Sequence, residues 1–218
     1  TMYSLYNIRV RKILIQNLLL IGFILNNAYA STNSTHIVYI GDSHSVGTFG
    51  QEMNQWIRNR PDTDFTFFAS GGTAPFQWLH GTAPVRCWLK DNETNTTAPT
   101  KGVCLGKEIP STEKTPKFET LLKKTYQNKI AIIAHGTNFG TKGSAKQTPE
   151  EQFKEQVAST IELIKKASNH GYQCFWIGPP KMRKYEGAPL EIKYSIIQTA
   201  IQKAAEKYKT KCTLIDSR

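Results

Sequence analysis

A chain of 218 residues is long enough to bury one core of ordinary size, and a second would be cramped. Its 28 Lys and Arg against 17 Asp and Glu leave a net charge of +11, a balance that on its own suits nucleic acid. No basic run is interleaved with stacking aromatics, however, and nucleic-acid binding is set aside.

Residues 1–30 give the charge another meaning. Arg9, Arg11 and Lys12 precede an apolar run from Ile13 to Leu25, and Ala28-Tyr29-Ala30 closes it with small-residue spacing, the pattern of a secretory signal peptide cleaved after Ala30. The run holds Gln16 and Asn17 and falls short of the roughly 20 apolar residues of a spanning helix, so no lasting membrane anchor is expected. Losing this segment, which has three basic and no acidic residues, leaves residues 31–218 as the domain with a charge of +8. A periplasmic or secreted location follows, where a basic surface meets anionic envelope polymers, acidic glycans or lipid head groups.

HIVYIG (36–41) is the first strand-like run, and it leads through Gly41-Asp42-Ser43-His44 toward a helix. A serine at such a junction is more often a helix cap than a catalyst, because its oxygen satisfies an orphan amide of the first turn. Asp42 belongs to the same turn, where a carboxylate favours the positive end of the helix. DFTFFAS (64–70) is the second run, followed by Gly71-Gly72-Thr73. Residues 80–115 then break the pattern: they are poor in apolar periodicity, rich in Thr and Asn, and hold Cys87 and Cys104, so they read as a disulfide-tied insertion. KIAIIAHG (129–136) is the third run and passes into Thr137-Asn138.

Next, Thr148-Pro149-Glu150-Glu151 offers an N-cap, an N1 proline and an N3 glutamate to a helix whose apolar face is Phe153, Val157, Ile161 and Ile164. QCFWIG (173–178) is the fourth run. A second helix carries the stripe Leu190, Tyr194, Ile197, Ile201, Ala204 and Tyr208, with lysines and glutamates on its other faces. KCTLID (211–216) is the fifth run. This alternation predicts an α/β, three-layer fold with a five-stranded parallel sheet and helices on both faces, flavodoxin-like, with sites at the carboxyl ends of the strands.

Four cysteines in an exported chain permit two disulfides. Cys87–Cys104 would restrain the insertion. Cys174 and Cys212 each lie three residues before a strand-end isoleucine, Ile177 and Ile215, so level neighbouring strands roughly 4.7–4.9 Å apart would bring them to bridging distance. No histidine sits at ligand spacing from a cysteine, and neither a metal nor another cofactor is expected.

Three short motifs thus close the first three strands: Gly41-Asp42-Ser43, Ser70-Gly71-Gly72-Thr73 and Gly136-Thr137-Asn138. Their order resembles the SGNH (GDSL-type) hydrolases, a family named for a serine, glycine, asparagine and histidine in successive blocks. The resemblance implies a nucleophilic Ser43, an oxyanion glycine at Gly71 or Gly72, and an oxyanion donor at Asn138. It implies a serine ester hydrolase or acyl transferase acting on acyl esters; the signal peptide and the positive charge point to an acylated envelope glycan, such as O-acetylated peptidoglycan, as its substrate, with lipid esters left open. The alternative is a non-catalytic glycan- or partner-binding relative. Lys181 and Arg183 follow Gly178-Pro179-Pro180, either as a solvated loop or as a rim that meets an anionic substrate.

Two departures stand out. Phe139 follows Asn138 where the family usually has aspartate, and the family's Asp-x-x-His block does not occur before Asp216-Ser217-Arg218. The base and acid are therefore expected from a longer parent protein, and residues 1–218 alone should be nearly inactive. None of His36, His44, His80, His135 and His170 occupies the family's base position.

Overall fold

A computed structural model describes residues 34–82, 87–92, 100–102, 114–123, 125–139, 147–181 and 188–218. The predicted signal peptide, Cys104 with its predicted bridge to Cys87, and Arg183 lie outside these residues. One compact unit spans Thr35–Arg218. Among the described residues its strands are β1 Thr35–Gly41, β2 Thr63–Ser70, β3 Trp88–Asn92, β4 Thr100–Gly102, β5 Asn128–Ala134, β6 Gln173–Ile177 and β7 Cys212–Ile215. They form one sheet in the order β4-β3-β2-β1-β5-β6-β7.

The five predicted strands are the parallel ones, β2-β1-β5-β6-β7. Central β1 pairs on both sides, with Ile37 level with Phe65 and with Ile130. A strand so placed is covered on both faces, which is why HIVYIG is apolar almost without interruption and buried from His36 to Gly41.

Among the described residues five α-helices flank the sheet: α1 Thr48–Arg58, α2 Pro75–His80, α3 Phe118–Leu121, α4 Pro149–Asn169 and α5 Ala188–Tyr208. One face packs Ile37, Tyr39, Phe65 and Phe67 against Ile57 of α1. The other buries Val38, Ile40, Ile133 and Trp176 under Trp78, Phe118, Leu163 and Ile197 from the remaining four helices. On the α1 side, an apolar groove runs between Met53, Trp56, Ile130, Phe175 and Ile215. The N-terminus of α4 is built as its sequence predicts. Thr148 Oγ1 accepts from the Glu151 amide at 3.2 Å and Glu151 Oε2 accepts from the Thr148 amide at 2.7 Å, a cap that stabilises by about 1 kcal/mol.

The insertion differs from expectation in one respect: it contributes β3 and β4, two antiparallel strands, to the edge of the sheet beyond β2. The stretch Trp88-Leu89-Lys90-Asp91-Asn92 does alternate, with Leu89 and Asp91 inside. The second inward position is a carboxylate, held by Arg58 Nε and Asn54 Nδ2 of α1 at 3.0 Å each, so the period-two apolar signal is masked.

Cys174 and Cys212 are register partners on β6 and β7 and are joined by a disulfide across a Cα separation of 4.4 Å. The cross-link spans 38 residues, and closing such a loop in the unfolded chain is worth about 3–4 kcal/mol in the chain-entropy model. Replacing both cysteines with alanine is expected to lower the unfolding free energy by about that amount, measured by urea denaturation under non-reducing conditions.

Candidate active site

The chain leaves β1 for β2 on one side and returns through β5 on the other, so the strand order reverses at β1. In such sheets the crevice for a ligand opens at the carboxyl ends of the strands flanking the reversal. Ser43 and Asn138 follow β1 and β5 at that place.

Ser43 begins a single 3-10 turn, Ser43–Ser45, and is exposed. The capping role left open for it belongs to Asp42, whose Oδ1 accepts the His44 amide at 3.0 Å. Helix α1 starts later, with Gly47 at its N-cap. Gly41 permits the turn to fold back on the strand, since a Cβ there would lie 2.1 Å from Ser45 Oγ. That hydroxyl is in turn 2.7 Å from the buried Tyr39 hydroxyl.

After β5 the chain turns tightly, the Phe139 amide donating to the Gly136 carbonyl at 3.1 Å. Half-buried Asn138 reaches from this turn to the loop after β2, its Nδ2 donating to the Thr73 carbonyl at 2.9 Å. Thr73 is itself fixed: its Oγ1 donates to the Ser70 carbonyl at 2.8 Å and accepts from Trp78 Nε1 at 3.2 Å. The structure thus brings the three sequence motifs together around the end of β1. Gly71, however, is committed to the sheet edge. Its amide donates to the Cys87 carbonyl at 2.8 Å, and a Cβ on it would lie 2.2 Å from Cys87 Sγ. Its neighbour Gly72 makes the turn, at φ 70°.

A cavity of about 220 Å³ lies between the ends of β1, β5 and β6, with Asp42, His44, Phe49, Thr137, Ile177 and Pro179 in its walls; Asp42 and His44 flank Ser43, which is not itself part of the wall. Lys181 is exposed just beyond the cavity-lining Pro180. Burial pushes the Asp42 carboxyl up, against the pull of the hydrogen bond from the His44 amide. His135 also lines the cavity but is 1% exposed, with its ring 6.0 Å from that of Trp78. Burial pushes its ionisation down to about 3, so it is neutral near pH 7 and a poor proton acceptor. His36 lies at the opposite end of β1, with Nδ1 2.5 Å from the Tyr172 hydroxyl. His170 ends α4, its Nδ1 2.9 Å from the Lys166 carbonyl.

One site residue escaped the sequence reading. Lys193 of α5 is buried, and its Nζ donates to the carbonyls of Gly136 at 3.3 Å, Phe139 at 3.1 Å and Thr137. Burial pushes its ammonium down while the Asp42 charge pulls it back up. The sequence places the lysines of this helix on its outer faces. Lys193 is the exception, three residues after Leu190 and four before Ile197, on the buried stripe itself. That spacing was the available signal.

Among the described residues, no group of three or more His, Cys, Asp or Glu is placed to hold a metal, and no helix is long and apolar enough to cross a membrane. No protein-family model and no curated protein matches the chain. Among solved structures, it is similar to a carbohydrate esterase family 2 enzyme with a carbohydrate-binding domain from Corynascus thermopiles (Myceliophthora fergusii). The identity is 15% and the TM-score 0.48, over 87% of this chain and 59% of that one.

Proposed function

We propose that residues 31–218 are an ester-cleaving domain of the SGNH type, with Ser43 as its nucleophile. One observation carries this reading: an exposed serine stands at the carboxyl end of the central strand, on a turn that another residue caps, between Asp42 and His44, which line a cavity together with Thr137 of the turn that bears Asn138. In the reaction, Ser43 Oγ attacks the ester carbonyl carbon as its proton passes to a base. The bond to the alcohol oxygen breaks, the alcohol leaves with a proton, and water or another hydroxyl then takes the acyl group from Ser43. Amide donors for the oxyanion come from the Asn138 side chain and the backbone of the Gly71-Gly72-Thr73 turn. The resemblance assigns the proton acceptor to the histidine of an Asp-x-x-His block, which residues 1–218 do not contain.

The modest cavity and the basic charge favour a small acyl group on a polymer of the cell envelope, such as an O-acetylated glycan, met by Lys181 at the rim in an exported protein. The test is acid quenching of the full-length protein during turnover of para-nitrophenyl acetate, followed by peptide mass spectrometry. An acetyl group on the Ser43 peptide is expected. Nitrophenol release without that adduct, or no release at all, would overturn the reading.

Asn138→Ala in the same protein should raise the acylation barrier by about 2.7–4 kcal/mol, the loss of one oxyanion donor. The unfolding free energy should fall by no more than about 1 kcal/mol, the worth of one half-buried hydrogen bond. Burst kinetics and urea denaturation separate the two effects. A large stability loss with activity per folded molecule preserved would make Asn138 a turn residue only.

A further inference from the structure

We infer that Lys193 is a positioning residue for the proposed reaction: its ammonium clamps the turn after β5 and thereby aims the Asn138 amide at the site. The inference rests on the ester-cleaving reading above. Its basis is the convergence of three carbonyl oxygens, from Gly136, Thr137 and Phe139, on one nitrogen. Carbonyl dipoles that point at one spot repel each other, and buried without a donor they would carry the full cost of lost hydration. A lysine ammonium has three N–H donors and no acceptor, which matches that demand.

The three carbonyls bracket Asn138. The Thr137 carbonyl belongs to the peptide plane that enters Asn138, and the Phe139 amide, which donates to the Gly136 carbonyl at 3.1 Å, belongs to the plane that leaves it, so Lys193 holds the first plane directly and the second through the Gly136 oxygen, and with them the direction in which the Asn138 side chain leaves the backbone. Phe139 cannot supply this restraint, since its side chain is apolar and buried in the core. The lysine is held in turn by its own helix, where Leu190, Tyr194 and Ile197 on the same stripe are buried. Asp42, buried on the turn that carries Ser43, attracts the ammonium from across the site. One charge therefore connects the turn of the proposed nucleophile with the turn of the proposed oxyanion donor.

Lys193→Met in the full-length protein keeps the side chain's length and removes its donors. The expected result is a fall in kcat for para-nitrophenyl acetate on the order of 10²-fold, the scale of a small misplacement, with KM little changed. A lysine that acts through Asn138 also makes the two losses non-additive, so Lys193→Met combined with Asn138→Ala should be no slower than Asn138→Ala alone. Unchanged kcat in Lys193→Met, or losses that multiply in the double variant, would overturn the inference. Should Lys193→Met not fold, Lys193→Leu, which likewise removes the donors, is read in the same way.

Absence of an acyl-Ser43 adduct in the wild type would remove the ester-cleaving reading before any Lys193 variant is made. The clamp is then judged by nitrogen-15 NMR of the Asn138 side-chain amide. Its resonances move in Lys193→Met if the lysine sets its place, and an unmoved signal would overturn the clamp.

Discussion

Ser43→Ala is expected to slow acyl-ester hydrolysis by the full-length protein about 10⁶-fold, the loss seen when a serine nucleophile is removed from an intact triad. The same change should shift the unfolding free energy by no more than about 0.5 kcal/mol, as for other exposed positions away from special features. Stability is spared because the hydroxyl is not what holds the turn. Asp42 Oδ1 accepts the His44 amide at 3.0 Å, and the Val46 amide donates to the Ser43 main-chain carbonyl at 3.2 Å, both of which survive the substitution. A serine that merely capped the helix would show the reverse, a measurable loss of stability with little effect on hydrolysis. Steady-state rates with para-nitrophenyl acetate and urea denaturation decide between them. Hydrolysis within about tenfold of wild type would remove Ser43 from the chemistry.

That contrast marks where the amino-acid sequence stops being informative. Ser43 and Asp42 are adjacent oxygen-bearing residues at one junction, and which of them caps depends on backbone angles that neither residue type dictates. The strands were legible because parallel strands covered on both faces need continuous apolar runs, and α4 because its cap uses residues with a definite role at each of three positions, Thr148, Pro149 and Glu151. Cys174–Cys212 was legible because equal spacing to the strand ends translates directly into register.

Elsewhere the sequence signal was overridden by non-local pairing. β3 buries a carboxylate whose partners come from α1, more than thirty residues away, so the local pattern reads as polar. The distribution of helices, one against four, follows from strand order. The connections β5-α4-β6 and β6-α5-β7 advance in one direction and, being right-handed, put both helices on the same face, while β1-α1-β2 runs the other way and puts α1 opposite. The pairing of the Gly71 amide with the Cys87 carbonyl likewise needs the chain entering β3 in place to be seen.

A second large effect is expected on the acid side of the stability curve, and it belongs to His135. The unfolded histidine takes up a proton below about pH 6.5, whereas in the folded protein burial holds the ring neutral down to about 3. Between those values the unfolded chain binds a proton that the folded chain does not. Stability that is complete above about pH 6.5 is therefore lost as the pH falls toward 3. At about 1.4 kcal/mol per pH unit, the loss should reach about 2–3 kcal/mol by pH 4.5 and about 4–5 kcal/mol near pH 3. The upper part of this window is clear of the paired carboxylates: Arg218 holds Asp216, and Lys166 holds Glu119, below the ordinary carboxylate range, so both remain ionised there. His135→Leu removes the titrating ring from beside Trp78 and leaves intact the main-chain carbonyl that accepts Trp176 Nε1 at 2.9 Å. Urea unfolding of both proteins at about pH 7.5, 6 and 4.5 is the measurement. The wild type should lose about 2–3 kcal/mol more than His135→Leu across that range, whatever the variant's absolute stability. Equal losses would show that the buried ring takes its proton without unfolding, and would reopen His135 as an acceptor for the Ser43 proton.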